Sequence, residues 1–275
     1  MIGHKMDEPL NAVIAQRVEV APSLVILRVV PDGWIVPDFK PGQFTVMGLP
    51  GAARRCELSL PEETPAAGDK LIKRAYSIAS SSVAKEYMEF YVALVTSGAL
   101  TPRLFALGAG NRLWLSSKIT GIFTLDRVPA GQHIVMIATG TGLAPYMSML
   151  RTELVRGDTR RIAVIHGARY SWELGYRSEL TTMAYLCPDF VYIPCISRPA
   201  EDKAPWTGLT GHIQAAWGSQ ALERAWGFKP LPANTHIFLC GNPAMIEDMI
   251  TILKGQGYNE HKPRAPGNVH CERYW

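Results

Sequence analysis

Residues 73–80, Lys73-Arg74-Ala75-Tyr76-Ser77-Ile78-Ala79-Ser80, alternate polar and apolar side chains and predict a β-strand with one polar edge. On a strand, Arg74 and Tyr76 share a face and Ser77 points to the other. An arginine, an aromatic ring and a hydroxyl within four residues suit a phosphorylated aromatic cofactor. A guanidinium can grip a diphosphate through two parallel hydrogen bonds. A phenol ring can lie on a fused ring system, and a hydroxyl can bond a heteroatom at that ring's edge. Taken alone, the four residues Arg74–Ser77 favour the plainer reading, an edge strand with an outward Arg and a half-buried Tyr, because short motifs are common. The rest of the chain decides between these readings.

Around this strand, residues 12–30 predict two strands joined at Ala21-Pro22-Ser23, and Gln43–Met47 predicts a third. Residues 50–70 form a long loop of Gly, Pro, Ala and charge, and Glu86–Val95 predicts a further strand. A last strand pair is expected at Leu113–Ser116 and Gly121–Leu125. Short strands between turn residues imply an antiparallel barrel or sandwich over residues 1–125. Thr101-Pro102 predicts a helix start, with a hydroxyl cap, Pro at the first helical position and exposed N–H groups suited to an anion. A capped surface helix is the plainer alternative.

From residue 126 to residue 275 the pattern changes to strand–helix alternation, which implies a doubly wound α/β parallel sheet. The apolar run His133–Ala138 leads into Thr139-Gly140-Thr141-Gly142-Leu143-Ala144-Pro145 and a helix over Tyr146–Arg156. Strand, glycine turn and helix N-terminus together make a phosphate cradle. Pro145 stands where a third glycine of G-x-G-x-x-G would be. Arg161–His166 is a strand ending near Arg169-Tyr170, followed by a helix over 173–186. Phe190–Ser197 is a strand ending at Arg198, and Thr235–Cys240 is one ending at Gly241-Asn242-Pro243. In such a sheet ligands bind at the strands' carboxyl ends. Gly140, Arg169, Arg198 and Gly241 are therefore expected on one rim, with two arginines suited to a phosphate and Tyr170 to a base.

Composition narrows the class. Of 275 residues, 47% are hydrophobic and 19% charged, which suits a soluble globular protein. The net charge of +4 is spread evenly, with 13 basic against 11 acidic residues before residue 126 and 15 against 13 from it onward. Such a balance argues against a nucleic-acid binder. Cys56, Cys187, Cys195, Cys240 and Cys271 are odd in number and contain no C-x-x-C. They argue against a disulfide framework, a zinc site or an iron–sulfur site, and for the cytoplasm. Residues 1–11 lack a signal peptide's apolar core, and no apolar run matches a membrane span.

The order R-x-Y-S, G-T-G-x-x-P, C-G-N-P and a terminal Tyr-Trp resembles the ferredoxin–NADP⁺ reductase family over nearly the whole chain. The resemblance implies an antiparallel Greek-key β-barrel for FAD over 1–125 and the NADP-binding sheet over 126–275, in a monomer serving ferredoxin or flavodoxin. It implies FAD held by Arg74, Ala75, Tyr76, Ser77, Tyr91, Ala99, Leu100, Thr101 and Thr141, with Tyr274 covering the flavin and Trp275 on flavin or adenine. It implies NADP(H) held by Gly140, Thr141, Gly142, Arg169, Tyr170, Ser197, Arg198, Gly241, Asn242 and Pro243. Ser77 would bond flavin N5, Cys240 would flank the nicotinamide, and Glu272 would orient the carboxamide or relay protons. Neither a metal nor a covalent nucleophile is implied. NADPH would pass a hydride to the flavin across roughly 3–3.5 Å, and electrons would leave singly.

Two positions depart from the family's pattern. Thr210-Gly211-His212 stands where relatives carry Thr-Gly-Arg near the 2′-phosphate, which loosens the expected NADP preference. The loop 51–70 is longer than the family's. Its Arg54-Arg55 and Glu62-Glu63 could shape partner docking, cover the FAD adenine, or sit in a solvated insertion. The alternatives are a small NAD(P)H-dependent flavin or iron-chelate reductase and, from another class, a flavin redox sensor or electron-transfer subunit without catalysis. Deleting Tyr274-Trp275 is expected to change FAD retention or the KM for NADPH, read from flavin absorbance and steady-state kinetics. Unchanged values in both would remove the tail from the site.

Overall fold

The computed structural model describes residues 9–64, 66, 68, 70–154 and 160–273. Its first half is an antiparallel sheet with six strands among the described residues, in the order β4-β3-β6-β1-β2-β5. β1 (Ala12–Ala21) and β2 (Leu24–Pro31) form a hairpin. β3 (Phe44–Pro50) pairs with β4 (Leu71–Ser77), which carries Arg74-Ala75-Tyr76-Ser77, and β5 is Met88–Ala93. α1 (Thr101–Phe105) and β6 (Arg112–Leu115) follow. Beyond β4 the chain turns toward β5, where the Ala79 N–H donates to the Glu89 carbonyl at 2.7 Å, and the sheet curls into a barrel. Its inside is apolar, with Ile14, Leu27, Met47, Phe90 and Leu104 buried.

The second half is a wholly parallel sheet in the order β10-β9-β8-β7-β11-β12. β7 (His133–Thr139) leads through a 3₁₀ turn, Gly140–Leu143, into α2 (Ala144–Glu153). Next come β8 (Ile162–Ala168), α3 (Arg177–Leu186), β9 (Phe190–Ile196) and β10 (Leu209–Thr210). α4 (Ile213–Gly218), α5 (Ala221–Trp226), β11 (Thr235–Cys240), α6 (Pro243–Gly255) and β12 (Val269–Glu272) complete it. Strand residues alternate between two cores. Val135, Ile137, Ile165 and Leu239 face α4–α6, whereas Ile134, Met136, Val164 and Phe238 face α2, α3 and the barrel. The barrel adds Leu24, Ile26, Ala79, Tyr91 and Phe123 to that second core, so both halves share one apolar interface. Among the described residues no helix is long and apolar enough to cross a membrane.

Four local expectations are corrected. Gly121–Leu125 is not a strand. It leaves the sheet after the Phe44–Thr120 bridge because Phe123 is drawn across to pack on Phe238 at 5.3 Å and Tyr146 at 6.0 Å. Thr101 does not cap α1: its hydroxyl accepts from the Val95 N–H at 3.0 Å and donates to the Val95 carbonyl at 3.2 Å, and Leu100 holds the cap position. The helix expected from residue 173 begins at Arg177, after Tyr176 takes a left-handed conformation with φ 59°. The described part of loop 51–64 is not a free solvated insertion: Arg55 and Glu62 turn inward against residues 96–103, while Arg54 stays exposed.

One buried ion pair ties the two halves together. Glu89 on β5 is 1% exposed and accepts from Arg28 at 2.7 Å, from Arg151 of α2 at 2.6 Å and from the Tyr176 hydroxyl at 2.8 Å. Arg151 also donates to the Ala79 carbonyl at 2.9 Å and forks onto Glu179 of α3 at 2.7 Å. Burial pushes the Glu89 pKa up, but the Arg151 charge and these hydrogen bonds outweigh it and hold it below the ordinary 4.5. A carboxyl with a depressed pKa stabilises the fold above its ordinary value and loses that contribution as pH falls through the depressed one. Arg151→Met, which leaves Glu89 under-compensated, is expected to cost about 3–5 kcal/mol in urea unfolding at neutral pH. The gap to the wild type should narrow as pH falls below 4.5; a gap independent of pH would show that the pair is not its source.

Candidate functional site

A cleft of about 620 Å³ lies along the carboxyl ends of β7, β8, β9 and β11. Its floor is the parallel sheet's rim, including Gly140, Thr141, Gly142, Arg169, Ser197 and Gly241, and its opposite wall is Ser23, Leu24, Ala93 and Leu94 of the barrel. Two glycine turns lock into each other at its centre. A Cβ on Gly142 would stand 2.4 Å from the Cys240 carbonyl oxygen. Gly241 has φ +133°, and a Cβ there would stand 2.3 Å from Thr139 Oγ1. That hydroxyl accepts the Asn242 N–H at 2.8 Å. Asn242 then caps α6, accepting from the N–H groups of Ala244 at 2.9 Å and Met245 at 3.4 Å, with Pro243 opening the helix.

Four sequence-predicted groups therefore meet the cleft together: the Gly140–Gly142 turn, Arg169, Ser197 and the Gly241-Asn242 turn, and His212 joins them. Arg198 lies beside them, its N–H donating to the Arg169 carbonyl at 2.9 Å. Cys240 and Glu272 are register partners at the ends of β11 and β12. Cys240 is fully buried and Glu272 partly so.

Sequence reasoning missed the carboxylates and the second ring around the two arginines. Glu173 accepts from the Arg169 guanidinium at 3.0 Å through Nε and closely through Nη2. Arg198 donates to the Tyr170 hydroxyl at 3.2 Å, and that hydroxyl donates to Glu201 at 2.7 Å. Asp202 accepts from the Ser171 N–H at 2.6 Å and from its hydroxyl at 2.9 Å, joining the two loops. Tyr170 stacks on Trp172, with ring centroids 4.5 Å apart and planes 7° from parallel. The signal was present as Ser171-Trp172-Glu173 after Arg169-Tyr170 and as Glu201-Asp202 after Arg198, but only the parallel pairing of β8 with β9 brings the two loops together. Arg198 and Glu201 are half exposed or more, so a phosphate can exchange for that pair at little cost, whereas Arg169 is tied to the buried carboxylate of Glu173.

On the barrel side, Arg74 is exposed and its guanidinium donates to the Lys73 carbonyl at 2.8 Å. Ala75 is exposed, Tyr76 is half-buried on the face of Arg74, and Ser77 is buried at the strand's end. Among the described residues nothing accepts the N–H groups of Ala99, Leu100 or Thr101. An outward arginine, a neighbouring phenol ring and three successive backbone donors fit a flavin dinucleotide's aromatic and diphosphate parts. Tyr91 is placed differently from the other expected flavin contacts. It is 3% exposed, edge-on to Tyr176 at 5.4 Å, with its hydroxyl donating to the Glu173 carbonyl at 3.4 Å. Burial there raises its pKa well above the ordinary tyrosine value. Tyr274 and Trp275 lie outside the described residues.

Comparison with known proteins agrees with this geometry. Residues 136–250 match the family model described as an oxidoreductase NAD-binding domain. The chain is 33% identical to a flavodoxin/ferredoxin–NADP reductase of Shigella flexneri, covering 87% of this chain and 89% of that one. It is 30% identical to a ferredoxin–NADP reductase of Azotobacter vinelandii, covering 86% of each. A crystal structure of a ferredoxin NADP+ reductase from Neisseria gonorrhoeae with bound FAD and NADP superposes with a TM-score of 0.80 at 26% identity, over 98% of this chain and 100% of that one. With a β-barrel and a parallel sheet enclosing one cleft, and with more than 30% identity across most of its length, the chain belongs to the flavodoxin/ferredoxin–NADP reductase family.

Proposed function

We propose that this chain is an FAD-dependent reductase that exchanges a hydride with NADP(H) and single electrons with ferredoxin or flavodoxin. The observation that carries the reading is the interlocked pair of glycine turns facing a cleft whose far wall belongs to the barrel. Such a cleft can bring a dinucleotide's reactive ring against a second cofactor held by the barrel. Bound FAD supplies the conversion between two-electron and one-electron transfer. The protein's part is to bind, orient and exclude water.

In this proposal Arg74 and the N–H groups of Ala99, Leu100 and Thr101 hold the FAD diphosphate, with Ala75 lining the strand between Arg74 and the ring that Tyr76 supports. Ser77 hydrogen-bonds the flavin's reactive edge. The Gly140-Thr141-Gly142 and Gly241-Asn242-Pro243 turns let the NADP backbone come close. Arg198, Arg169, Tyr170 and Ser197 receive the adenosine end, with His212 nearby. Cys240, small and buried, leaves room for a flat ring, and Glu272 beside it orients that ring's amide or relays a proton. Tyr91 acts from behind, as a packing support where the barrel meets Tyr176. A monomer in the cytoplasm suits this role.

The first test is anaerobic titration of the FAD-loaded protein with NADPH and separately with NADH, followed by mixing with ferredoxin or flavodoxin. Bleaching of flavin absorbance by near-stoichiometric NADPH, then rapid oxidation by the carrier, is expected. A protein that takes up no FAD, or whose reduced flavin ignores both carriers, would defeat the proposal. Arg198→Ala should lower kcat/KM for NADPH by about 10- to 100-fold, the loss of one charge-assisted hydrogen bond, and leave NADH within about threefold. Equal losses with both nucleotides would remove Arg198 from the 2′-phosphate.

A further inference from the structure

The loop after β3 places Arg55 and Glu62, and α1 places Arg103, behind the segment Gly98–Thr101. Arg103, on α1, is 2% exposed. Its Nη1 donates to Glu62 at 2.8 Å and to the Ala99 carbonyl at 2.6 Å, and its Nη2 donates to the second Glu62 oxygen at 3.0 Å. Its Nε donates to the Gly51 carbonyl at 3.1 Å. Arg55 donates to Glu62 at 3.0 Å, to the Gly98 carbonyl at 2.9 Å, to the Leu60 carbonyl at 2.8 Å and to the Thr96 carbonyl at 3.2 Å. Backbone bonds add to the seam, from the Leu60 N–H to Thr96 and from the Cys56 N–H to Pro102, each 2.9 Å. The hydrogen bond from Arg103 foremost, with both guanidinium charges, holds the Glu62 carboxyl below the usual carboxylate range.

The peptide plane turns this seam into an orientation device. In a trans peptide the C=O and the following N–H point in opposite directions. Arg55 fixes the Gly98 carbonyl on the loop side, which turns the Ala99 N–H away from the loop. Arg103 fixes the Ala99 carbonyl on the same side, which turns the Leu100 N–H away as well. These are the N–H groups that no described residue accepts. Glu62 bonds both guanidiniums, so it keeps one from pushing the other aside.

We propose that Arg55, Glu62 and Arg103 are positioning residues for flavin-dinucleotide binding, with the loop 51–64 bracing the diphosphate-binding N–H groups from behind. This rests on the flavin reading above. It assigns the loop a role within the cofactor site in place of partner docking, an adenine cover or a solvated insertion. Preorganised donors bind without the cost of ordering them. A loosened brace therefore weakens the cofactor without removing any group that touches it.

The test is FAD affinity of the apoprotein for wild type, Arg55→Met and Glu62→Gln, by quenching of flavin fluorescence. Hydrogen exchange over residues 96–101 is the second readout. Both variants should bind FAD about tenfold more weakly or worse. Both should lose the FAD-induced protection of that segment, and 2′,5′-ADP binding at the parallel sheet should stay within about twofold of wild type. Unchanged FAD affinity overturns the proposal, and so does weaker binding with wild-type protection of 96–101. If Glu62→Gln does not fold, Arg55→Met carries the test, because it leaves the Arg103–Glu62 fork intact. A wild-type chain that takes no FAD fails the flavin reading itself, which is a different result from a variant that binds like wild type.

Discussion

The Glu89–Arg151 pair fixes how the two walls of the cleft meet. A carboxylate 1% exposed in a barrel strand is costly to bury; Arg28 of the barrel meets one of its oxygens, and Arg151 and Tyr176 meet the other only when the second half is docked. α2 starts at the first glycine turn, and Arg151 near its end also holds the Ala79 carbonyl, two residues beyond Ser77. The helix thus links the nucleotide rim to the end of the strand carrying Arg74-Ala75-Tyr76-Ser77. Apolar packing around Phe123, Tyr91 and Leu24 supplies the area, and the ion pair supplies the geometry. Hydrophobic contact is non-directional, whereas a guanidinium shared between Glu89, Glu179 and a carbonyl admits one placement of α2.

The same division of labour recurs on the nucleotide rim with the opposite burial. There Arg198 is already paired with Tyr170 and Glu201 in contact with water, and Arg169 with Glu173, whose carboxylate is buried while the guanidinium is exposed. High dielectric keeps the Arg198 pairs weak, so they hold that guanidinium in place without competing strongly with a phosphate. Glu201 and Asp202 nevertheless add negative charge to that rim.

Alternation and glycine spacing made most of the fold legible: the strand expected over 73–80 runs over 71–77, the strand and glycine turn from 133 lead into a helix at 144, and the C-G-N-P turn opens a helix. The signals that failed were overruled from a distance. Phe123 left its expected strand for partners more than twenty residues away, and the Thr101 hydroxyl chose Val95 over its own helix. Glu89 and Glu201 were invisible, and Glu62 was visible only as a candidate for docking or for covering the adenine, because each acts through residues far along the chain or on another strand. Local pattern records which face a residue takes, not which charge it will meet.

Register carries the last part of the site. β12 lies parallel to β11 with Ile237 opposite Val269, so Glu272 arrives beside Cys240. A slip of one residue would turn Glu272 to the other face of the sheet. The register is held beyond the strands themselves: the Ile237 N–H donates to Asn268, whose side chain bonds the Asn259 N–H and the Pro232 carbonyl. His270 stacks on Phe238 at 4.5 Å and on His236 at 5.2 Å. Burial and its histidine neighbours lower its pKa to about 3, so it packs as a neutral ring at physiological pH. Past Glu272, Arg273 is bonded to Glu247 of α6 and to Glu260. The chain therefore enters its last residues from a point anchored to the helix that Asn242 caps. The nucleotide turn and the strand bearing Glu272 consequently share one support, and a shift in either must displace the other.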